Sequence, residues 1–553
     1  MTPRLVRSRP SRPSRPLRLT GAPGSRGPGL LLAVLALVSC EDSTAPTPVP
    51  PVAPVPTALE LSTDQLLFSF LGGSEAVLAQ VLDQDGDPMA DEPVVFSVVD
   101  EAVATLDTTG LVTADAEGVT ELVATSGTLT ARAAVEVRTG WMAVATGNQH
   151  ACGLWGHGVA FCWGDNGFGQ LGLGPEGGEG STVPAPVELG VDSEGVRFEA
   201  LALGDSHSCG LAHDGRVFCW GWNAVGQLGT GDTNDRNAPA PVEADEQFAQ
   251  LTTGAYHNCA VTTAGTGLCW GGGGGFQDGR DLAMGFEPPD PCSSPGPFFS
   301  SRCSLTPRQI QGDLTFATIS AGLFHSCGIG ADGRSWCWGW NRGQLGNGEN
   351  HPDDPDGTAP GYDFPTLVSG ALTFDRISAG NVHSCAITPG GDAWCWGEED
   401  FQSGALGSGD IVGTSVPTEV DSDASFSTVS AAAVNGIYNQ FTCGLDDGGS
   451  AWCWGANRRG QLGAMSRDSC AVAVGQIPCS VSPVPVDTDL TFQEIATGLE
   501  FSCARDTDEG VWCWGANDVG QLGNGGGVDR PTPVRVSDPP PVEGPDAMPA
   551  LGG

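Results

Sequence analysis

The stretch FATISAGLFHSCGIGADGRSWCWGWNRGQLG, residues 316–346, is the cleanest of seven related segments in this chain. A segment that recurs with fixed internal spacing is the signature of an array of similar structural units. Each copy carries two cysteines ten residues apart. The pairs are Cys152 with Cys162, Cys209 with Cys219, Cys259 with Cys269, Cys327 with Cys337, Cys385 with Cys395, Cys443 with Cys453, and Cys503 with Cys513.

The residues between the two cysteines predict a β-hairpin. Glycine stands six residues after the first cysteine in six copies, whereas copy seven has Glu509 there and Gly510 one place later. Glycine at this place fits a turn that needs one residue at positive φ. A turn centred on Asp332 makes Cys327 and Cys337 face each other, close enough to form a disulfide. We therefore expect one disulfide in each hairpin.

Each hairpin should be apolar on both faces. Strand alternation puts Trp336 and Trp338 on one face and Cys337 on the other. A sheet packed between two neighbouring sheets needs such a pattern. An aromatic residue stands eleven residues before the first cysteine in six copies, and copy six departs with Phe426, seventeen residues ahead of Cys443. The six are Trp141, Phe198, Phe248, Phe316, Phe374 and Phe492.

The residues after the second cysteine carry a family resemblance. Trp-Gly is followed by a turn with the sequence GQLG in five copies and by a Pro-x-x-Val segment in most, such as residues 531–534. This pattern resembles the repeat of the regulator of chromosome condensation family over about residues 141–537. The resemblance implies an all-β fold with a seven-bladed β-propeller. Copy three loses the GQLG turn and copy five has GALG at 404–407, so we expect irregular rims there. We also expect the final strand, 531–536, to pair beside the strand that begins at Trp141.

The N-terminal segment has the pattern of a secretory signal. Residues 1–39 hold seven arginines and no acidic residue, and 30–38 form an apolar run too short to span a bilayer. Leu-Val-Ser before Cys40 resembles the bacterial lipobox, which implies a lipoprotein-type signal peptide over 1–39 and diacylglycerol on the thiol of Cys40. The alternative is an ordinary signal with an incidental cysteine.

Three further regions are predicted. Residues 40–57 are rich in proline and should form an extended tether, and 538–553 should be a disordered tail. Residues 58–138 alternate like short strands and resemble bacterial Ig-like domains of the second group, a β-sandwich that acts as a spacer or adhesive unit in that family. Asp83, Asp85 and Asp87 imitate the start of a calcium loop, but its glycine and closing glutamate are missing, which favours a solvated turn.

Charge and cysteine count restrict the compartment and the partners. The net charge is −42, and without the seven arginines of 1–39 it is near −49, so nucleic acid and anionic membrane surfaces are disfavoured as partners. Apart from Cys40, all eighteen cysteines have a local partner, because Cys292 with Cys303 and Cys470 with Cys479 complete the set. Complete pairing favours an oxidising, extracytoplasmic setting. Zinc binding is the weaker alternative, since ligand pairs usually lie two to four residues apart.

The remaining candidate residues are histidines and tryptophans. Five copies have a histidine two residues before the first cysteine. Copies six and seven have Phe441 and Phe501 at this position, which favours a packing role for the histidines over a ring of metal ligands. The histidines are His150, His207, His257, His325 and His383. The tryptophans in step with the repeat are predicted to be core. They are Trp163, Trp220, Trp270, Trp338, Trp396, Trp454 and Trp514. Three tryptophans, Trp155, Trp222 and Trp340, fall outside the repeat pattern. Trp222 and Trp340 follow the Trp-Gly pair of their copies and are candidate ligand-binding residues at a rim.

The sequence favours a binding protein over an enzyme. No Ser-His-Asp order, HExxH motif or phosphate loop appears, so no catalytic residue, metal site or cofactor is predicted; the acidic loop 351–356 is the weak candidate for a cation. We expect a lipid-anchored, extracytoplasmic adhesion or scaffold protein that recognises an unknown protein or glycan. Its binding face should include the insertions 288–309 and 465–483. Guanine nucleotide exchange, implied by the family, and protein inhibition are the alternatives.

Overall fold

The computed structural model describes residues 53–540, except 108, 192, 194, 273–282, 293–301, 350–360, 398–402, 434–438 and 473–474. The signal segment, Cys40, most of the tether, the acidic loop 351–356 and the tail beyond residue 540 lie outside this description. All secondary structure within it is β-strand, so the all-β prediction is confirmed. The described ranges hold no helix of the length and apolarity that a membrane crossing requires.

The N-terminal strands form a β-sandwich. A four-stranded sheet, ordered β2-β9-β8-β5, and a three-stranded sheet, ordered β3-β7-β6, share one apolar core, and β1 pairs with β4. The strands are β1 Ala58–Leu61, β2 Gln65–Phe68, β3 Ser74–Ala76, β4 Ala79–Leu82, β5 Val95–Val98, β6 Ala104–Leu106, β7 Leu111–Ala114, β8 Gly118–Ser126 and β9 Leu129–Val137. In the turn after β4, Asp83 Oδ1 accepts the N–H groups of Asp85 and Asp87, each at 2.9 Å, so this carboxylate supports the backbone of the turn.

Seven antiparallel sheets follow, one for each repeat. The first sheet contains β10 Trp141–Thr146, β11 His150–Trp155, β12 Val159–Asp165 and β13 Gly180–Pro186. The second contains β14 Phe198–Leu203, β15 His207–Ala212, β16 Val217–Gly221 and β17 Arg236–Pro241. The third contains β18 Phe248–Thr253, β19 His257–Thr262, β20 Gly267–Gly271, β21 Asp290–Pro291 and β22 Arg302–Gln309.

The other four sheets repeat this arrangement. The fourth contains β23 Phe316–Ala321, β24 His325–Gly330, β25 Ser335–Gly339 and β26 Tyr362–Leu367. The fifth contains β27 Arg376–Ala379, β28 His383–Ile387, β29 Ala393–Gly397 and β30 Thr414–Glu419. The sixth contains β31 Phe426–Ala431, β32 Phe441–Asp446, β33 Ala451–Ala456, β34 Asp468–Val472 and β35 Gly475–Pro485. The seventh contains β36 Phe492–Thr497, β37 Phe501–Asp506, β38 Val511–Gly515 and β39 Arg530–Arg535.

The central hairpin of each sheet has the predicted register. Cys327 lies directly opposite Cys337, and Gly333 adopts a φ of 79° in the turn. In copy seven, Glu509 takes this conformation with a φ of 62°, a strained value for a residue with a side chain. We name the end of the sheets with these turns the turn face. The opposite end, where β11, β15 and their equivalents begin at a histidine or phenylalanine, is the loop face.

The recurrent aromatic residue joins each sheet to the one before it. The N–H of Phe248 donates to the carbonyl oxygen of Gly215 at 2.8 Å, and the equivalent bond is made at six of the junctions in all. The ring is buried against the tryptophan of its own sheet, as with Phe316 and Trp338, whose centroids lie 5.8 Å apart. The aromatic position therefore fixes both the spacing and the backbone register between neighbouring sheets.

The ring closes differently from the prediction. β39 pairs with β38 inside the seventh sheet and not with β10, so the expectation for 531–536 was wrong. The first and seventh sheets instead share an apolar cluster, and Trp163 Nε1 donates to the carbonyl oxygen of Gln521 at 3.0 Å. Glu494 Oε2 also accepts the N–H of Val144 at 3.0 Å. Strands of one repeat complete each sheet, so none of the described strands is shared between neighbouring sheets. The junction between the first and seventh sheets, named here the seam, differs in joining two sheets that are not consecutive in the chain.

Glu494→Gln is expected to raise the free energy of unfolding by about 0.5 kcal/mol, a small gain because the side chain is 37% exposed. Burial raises the pKa of Glu494, although the Val144 N–H and the Arg505 guanidinium, whose Nε lies 3.8 Å from Oε2, act in the opposite direction; the raised pKa means that ionisation of Glu494 at neutral pH opposes folding. The equivalent residue between the third and fourth sheets is Gln250, which accepts the N–H of Ile319 at 2.9 Å and donates to its carbonyl oxygen at 2.8 Å. Urea unfolding at pH 7.5 measures the change. The reciprocal control, Gln250→Glu, should be destabilising; a loss of stability in Glu494→Gln would contradict the interpretation.

Candidate functional site

The seven repeat cystines lie in the core. Each joins the second and third strands of its sheet with Cα atoms 4.0 to 4.1 Å apart, and all fourteen side chains are buried. The bonds are Cys152 to Cys162, Cys209 to Cys219, Cys259 to Cys269, Cys327 to Cys337, Cys385 to Cys395, Cys443 to Cys453, and Cys503 to Cys513. Such Cα separations are found between directly opposed, non-hydrogen-bonded strand residues. The structure therefore pairs these cysteines as the spacing predicts.

The two extra cystines lie in the insertions. Cys292 is bonded to Cys303 with Cα atoms 5.9 Å apart, and Cys470 is bonded to Cys479 with Cα atoms 5.8 Å apart. Both separations lie within the usual range for a disulfide. All eighteen cysteines that the sequence pairs locally are thus paired in the same way in the structure.

The five histidines are buried and link each sheet to the next. Each Nε2 lies 2.8 to 3.0 Å from a polar side chain that stands one residue after the histidine or phenylalanine of the following sheet. The pairs are His150 with Ser208, His207 with Asn258, His257 with Ser326, His325 with Ser384, and His383 with Thr442. The packing interpretation is confirmed, and the inter-sheet hydrogen bond is an additional role.

The GQLG turn supplies a backbone acceptor to the polar side chain that the histidine contacts. Ser208 donates its hydroxyl proton to the carbonyl oxygen of Gln170 at 2.8 Å, and Trp220 Nε1 donates to the same oxygen at 2.9 Å. Because that proton is committed, Ser208 can only accept from His150, which fixes the proton of His150 on Nε2. The turn of one sheet thus receives the tryptophan and the hydroxyl of the next. All seven repeat tryptophans are buried, which confirms them as core.

Copy three keeps this contact through other residues. Ala283 presents the carbonyl oxygen that accepts from Trp338 Nε1 at 2.9 Å and from Ser326 at 3.0 Å. The GQLG sequence is absent from copy three, but an equivalent turn is formed by 283–285, displaced by an insertion, where Gly285 has a φ of 74°. In copy five, Ala405 fills the same role for Trp454 at 2.9 Å. The irregular rim expected at 404–407 is not found, because the Gly407 N–H donates to the Gly404 carbonyl oxygen at 3.1 Å as Gly172 does to Gly169 at 2.9 Å, whereas 273–279 of copy three lie outside the described residues.

Burial controls the charge of the histidines. Removal from water lowers the pKa of His150, His257 and His325 to about 3 and that of His207 and His383 to about 4. Within the described residues, no hydrogen-bond partner lies near Nδ1 of any of the five. A neutral ring with Nε2 protonated satisfies this geometry. These imidazoles stabilise the junctions and do not converge on a metal, and the described residues contain no cluster of three or more potential metal ligands.

An aromatic strip crosses the loop face. It consists of Phe168, Trp222, Tyr256, Phe324 and Trp340, which belong to the first four sheets. Successive ring centroids lie 6.1, 6.0, 6.5 and 5.9 Å apart. The two tryptophans predicted at a rim are half-buried within this strip, and Phe168 is 47% exposed at its end. The structure therefore brings Trp222 and Trp340 into one band, in which Tyr256 is buried at 6% exposure and the two indoles are half-buried.

Sequence reasoning missed Tyr256 and Phe324. Both stand one residue before a histidine, a position that is not aromatic in the other five copies. No repeat signal could identify them, since they depart from the repeat. The guanidinium carbon of Arg342 lies 5.2 Å from the ring centroid of Trp340, which adds a cation to the far end of the strip.

The other side of the loop face is charged. Arg459 Nη2 lies 2.7 Å from Asp518 Oδ2, and Arg459 Nε donates to Asp529 Oδ2 at 2.5 Å. The hydrogen bond from Arg459 lowers the pKa of Asp529, while burial raises the pKa of the nearby Glu500. The loop face thus combines an apolar band on the first four sheets with an ion-pair network between the sixth and seventh.

The two disulfide-bonded insertions extend this face. Ser304 of β22 pairs with Gly271, and Cys479 of β35 pairs with Ala456, at the ends of β20 and β33 that lie on the loop face. The hairpins β21–β22 and β34–β35 thus enlarge the third and sixth sheets there. The sequence analysis predicted that both insertions belong to the binding face, and this strand register places them at the loop face. A pocket of about 270 Å³ lies between the inner strands and is lined mainly by alanine, threonine, serine and leucine.

Models of the regulator of chromosome condensation (RCC1) repeat match the chain over residues 157–211, 214–261, 332–387, 448–505 and 508–544, and a second model of the repeat matches 198–227, 316–344, 374–402 and 492–521. The ultraviolet-B receptor UVR8 of Arabidopsis thaliana is 26% identical over 394 residues, 70% of this chain and 80% of the receptor. The mitochondrial RCC1 domain-containing protein RUG3 of the same plant is 30% identical over 57% of this chain and 66% of its own length. The mouse E3 ubiquitin-protein ligase HERC2 matches at 28% identity, but this chain spans only 7% of it.

Solved structures show the same fold. Prp20p from Saccharomyces cerevisiae, described with its binding to Gsp1p and histones, superposes with a TM-score of 0.56 at 19% identity over 72% of this chain and 87% of Prp20p. Human WBSCR16 superposes with a TM-score of 0.52 at 20% identity over 68% of this chain and 89% of its own. At these identities the likeness establishes the fold alone.

Proposed function

Since this chain is a propeller built from RCC1 repeats, we propose that it binds other proteins through its loop face. The observation that carries the proposal is the aromatic strip, since aromatic residues and arginine on a rigid scaffold dominate binding energy at protein interfaces. The seven sheets act as seven blades that hold the strip in place. The disulfide-bonded hairpins flank the face and lose little conformational entropy when a partner binds.

The proposed setting is extracytoplasmic. Nine cystines require an oxidising compartment to form and persist, which favours secretion and lipid anchoring through Cys40. On this proposal the N-terminal sandwich is an Ig-like spacer between the anchor and the propeller. Guanine nucleotide exchange, which acts on cytosolic GTPases, fits this chemistry poorly. No catalytic motif in the sequence supports an enzymatic role, and the unidentified partner is a protein in preference to a glycan.

The strip can be tested with two surface variants of the full chain. Trp222→Ser with Trp340→Ser is expected to reduce partner capture from the producing organism's envelope fraction at least tenfold, because it removes two anchors from one band. Phe364→Ser is the matched control, since Phe364 is an exposed aromatic on β26 outside the strip. The captured proteins are quantified by mass spectrometry, and capture by the reduced, unfolded chain serves as the background. Equal capture by both variants, or none by the unmutated chain, would contradict the proposal.

A further inference from the structure

The repeat is broken at four places on the turn face, all beside the seam. Copy one has Trp155 where the other copies have a small or polar residue. It has Gly156 at the next position, where none of the other copies has glycine. Copy one also begins with Trp141 where the others have phenylalanine, and copy seven has Glu509 in place of the turn glycine. Departures confined to one junction indicate a local requirement that the other junctions lack.

The first two departures contact the N-terminal sandwich. Trp155 Nε1 donates to the carbonyl oxygen of Ser69 at 2.9 Å, and the ring of Phe70 stacks on Trp155 with centroids 6.3 Å apart at 18°. A Cβ at Gly156 would lie 2.6 Å from Ser69 Cβ, so only glycine permits this approach. The N–H of His157 donates to Ser69 Oγ at 3.1 Å. The turn of the first sheet is thus shaped to receive the loop that follows β2.

The other two departures complete the contact. Arg138, at the end of the sandwich, donates to Glu509 Oε1 at 3.3 Å, and Glu509 Cβ lies 3.0 Å from the position of a Cβ on Gly140. The carbonyl oxygen of Glu509 accepts the N–H of Trp141 at 3.0 Å. The Trp141 ring packs edge-on against Trp155, 5.3 Å between centroids. Glu509 thus has a strained backbone conformation, and its side chain contacts the sandwich through Arg138.

We propose that the N-terminal sandwich is a clamp that holds the ring closed at the seam. The seam differs from the other six junctions because its two sheets, β10–β13 and β36–β39, are not consecutive in the chain, so no short linker holds them together. Phe70 contacts Trp155 and Phe161 of the first sheet, and Arg138 donates to Glu509 of the seventh, so the sandwich contacts both sides of the junction. The clamp occupies the turn face, at the opposite end of the sheets from the aromatic strip. The loop face consequently stays open to partners while the sandwich is docked.

Hydrogen exchange in the full chain tests the clamp. Phe70→Ala is expected to speed exchange of the Trp141 and Val144 amides at least tenfold, since the hydrogen bonds that these two amides make across the seam loosen when the sandwich detaches. The matched amides are those of Phe316 and Ile319, which make the equivalent bonds between the third and fourth sheets. Their exchange should change less than twofold. Unchanged exchange at the seam, or equal acceleration at both junctions, would overturn the proposal.

A second pair of variants separates docking from backbone strain. Gly156→Ala places a Cβ against Ser69 at a φ of 56°, whereas Gly127→Ala has a φ of 58° and nothing within 4 Å. Both variants carry the cost of alanine in a left-handed conformation. Only Gly156→Ala should accelerate exchange at the Trp141 amide, at least tenfold. The same exchange rate at this amide in both variants would contradict the docking role of Ser69.

Discussion

Replacing both cysteines of one repeat, Cys327→Ala with Cys337→Ala, is expected to lower the free energy of unfolding by about 3 kcal/mol. Each repeat cystine closes a loop of about ten residues in the unfolded chain, and restricting that loop is the main source of its stabilisation. The cystine is fully buried between neighbouring sheets, so the native state gains nothing from its removal. Urea unfolding followed by tryptophan fluorescence measures the loss.

The equivalent pair in the second sheet provides the control. The bond removed by Cys209→Ala with Cys219→Ala closes the same loop length, with Cα atoms 4.1 Å apart against 4.0 Å in the fourth sheet. The two double variants should therefore lose stability by the same amount within error. A loss below about 1 kcal/mol in both would show that the strands hold together without their cystines.

Acidification from pH 7.5 to 5.5 is expected to remove about 7 kcal/mol of stability, the second large effect. Burial keeps the five histidines neutral in the folded chain, with pKa values of about 3 to 4. In the unfolded chain they titrate near 6.5, so the unfolded state binds more protons below that pH. Stability is therefore full above pH 6.5 and falls as the pH drops towards 4. Each histidine contributes about 1.4 kcal/mol to the loss at pH 5.5.

The chain itself supplies the variant that isolates this effect. His257→Phe copies the phenylalanines at the same position in copies six and seven, where Phe441 and Phe501 are fully buried. It should reduce the loss between pH 7.5 and 5.5 by about one fifth, or about 1.4 kcal/mol. His213→Phe is the control, because the side chain of His213 is 60% exposed. Equal pH dependence in the two variants would show that His257 does not drive the loss.

The repeat could be predicted from sequence because its signals are local. Cysteine spacing, the turn glycine and the paired tryptophans each follow from contacts inside one hairpin, as with Cys327, Gly333 and Cys337. The propeller itself followed from the family resemblance. What could not be predicted lies between sheets. The bond from His150 to Ser208 spans 58 positions, and Glu494 reaches Val144 across 350.

The candidate site was predictable only in part. Trp222 and Trp340 were identified because they fall outside the repeat, but Tyr256 and Phe324 occupy a position that tolerates many residue types. Trp155 was noticed as an exception, although its contact with Ser69 requires the placement of a separate domain. Single departures from a repeat thus mark sites of specific contact, while the contact partner is visible only in three dimensions.

Disulfide mapping of the native chain tests the structure most directly. The protein is denatured, alkylated without reduction, digested and analysed by mass spectrometry. Nine linked peptide pairs should be found, seven of which join cysteines ten residues apart within one repeat, with none of these eighteen thiols alkylated. Alkylation of the repeat cysteines in freshly isolated protein, or bonds that join different sheets, would contradict a propeller in which every sheet carries its own cystine.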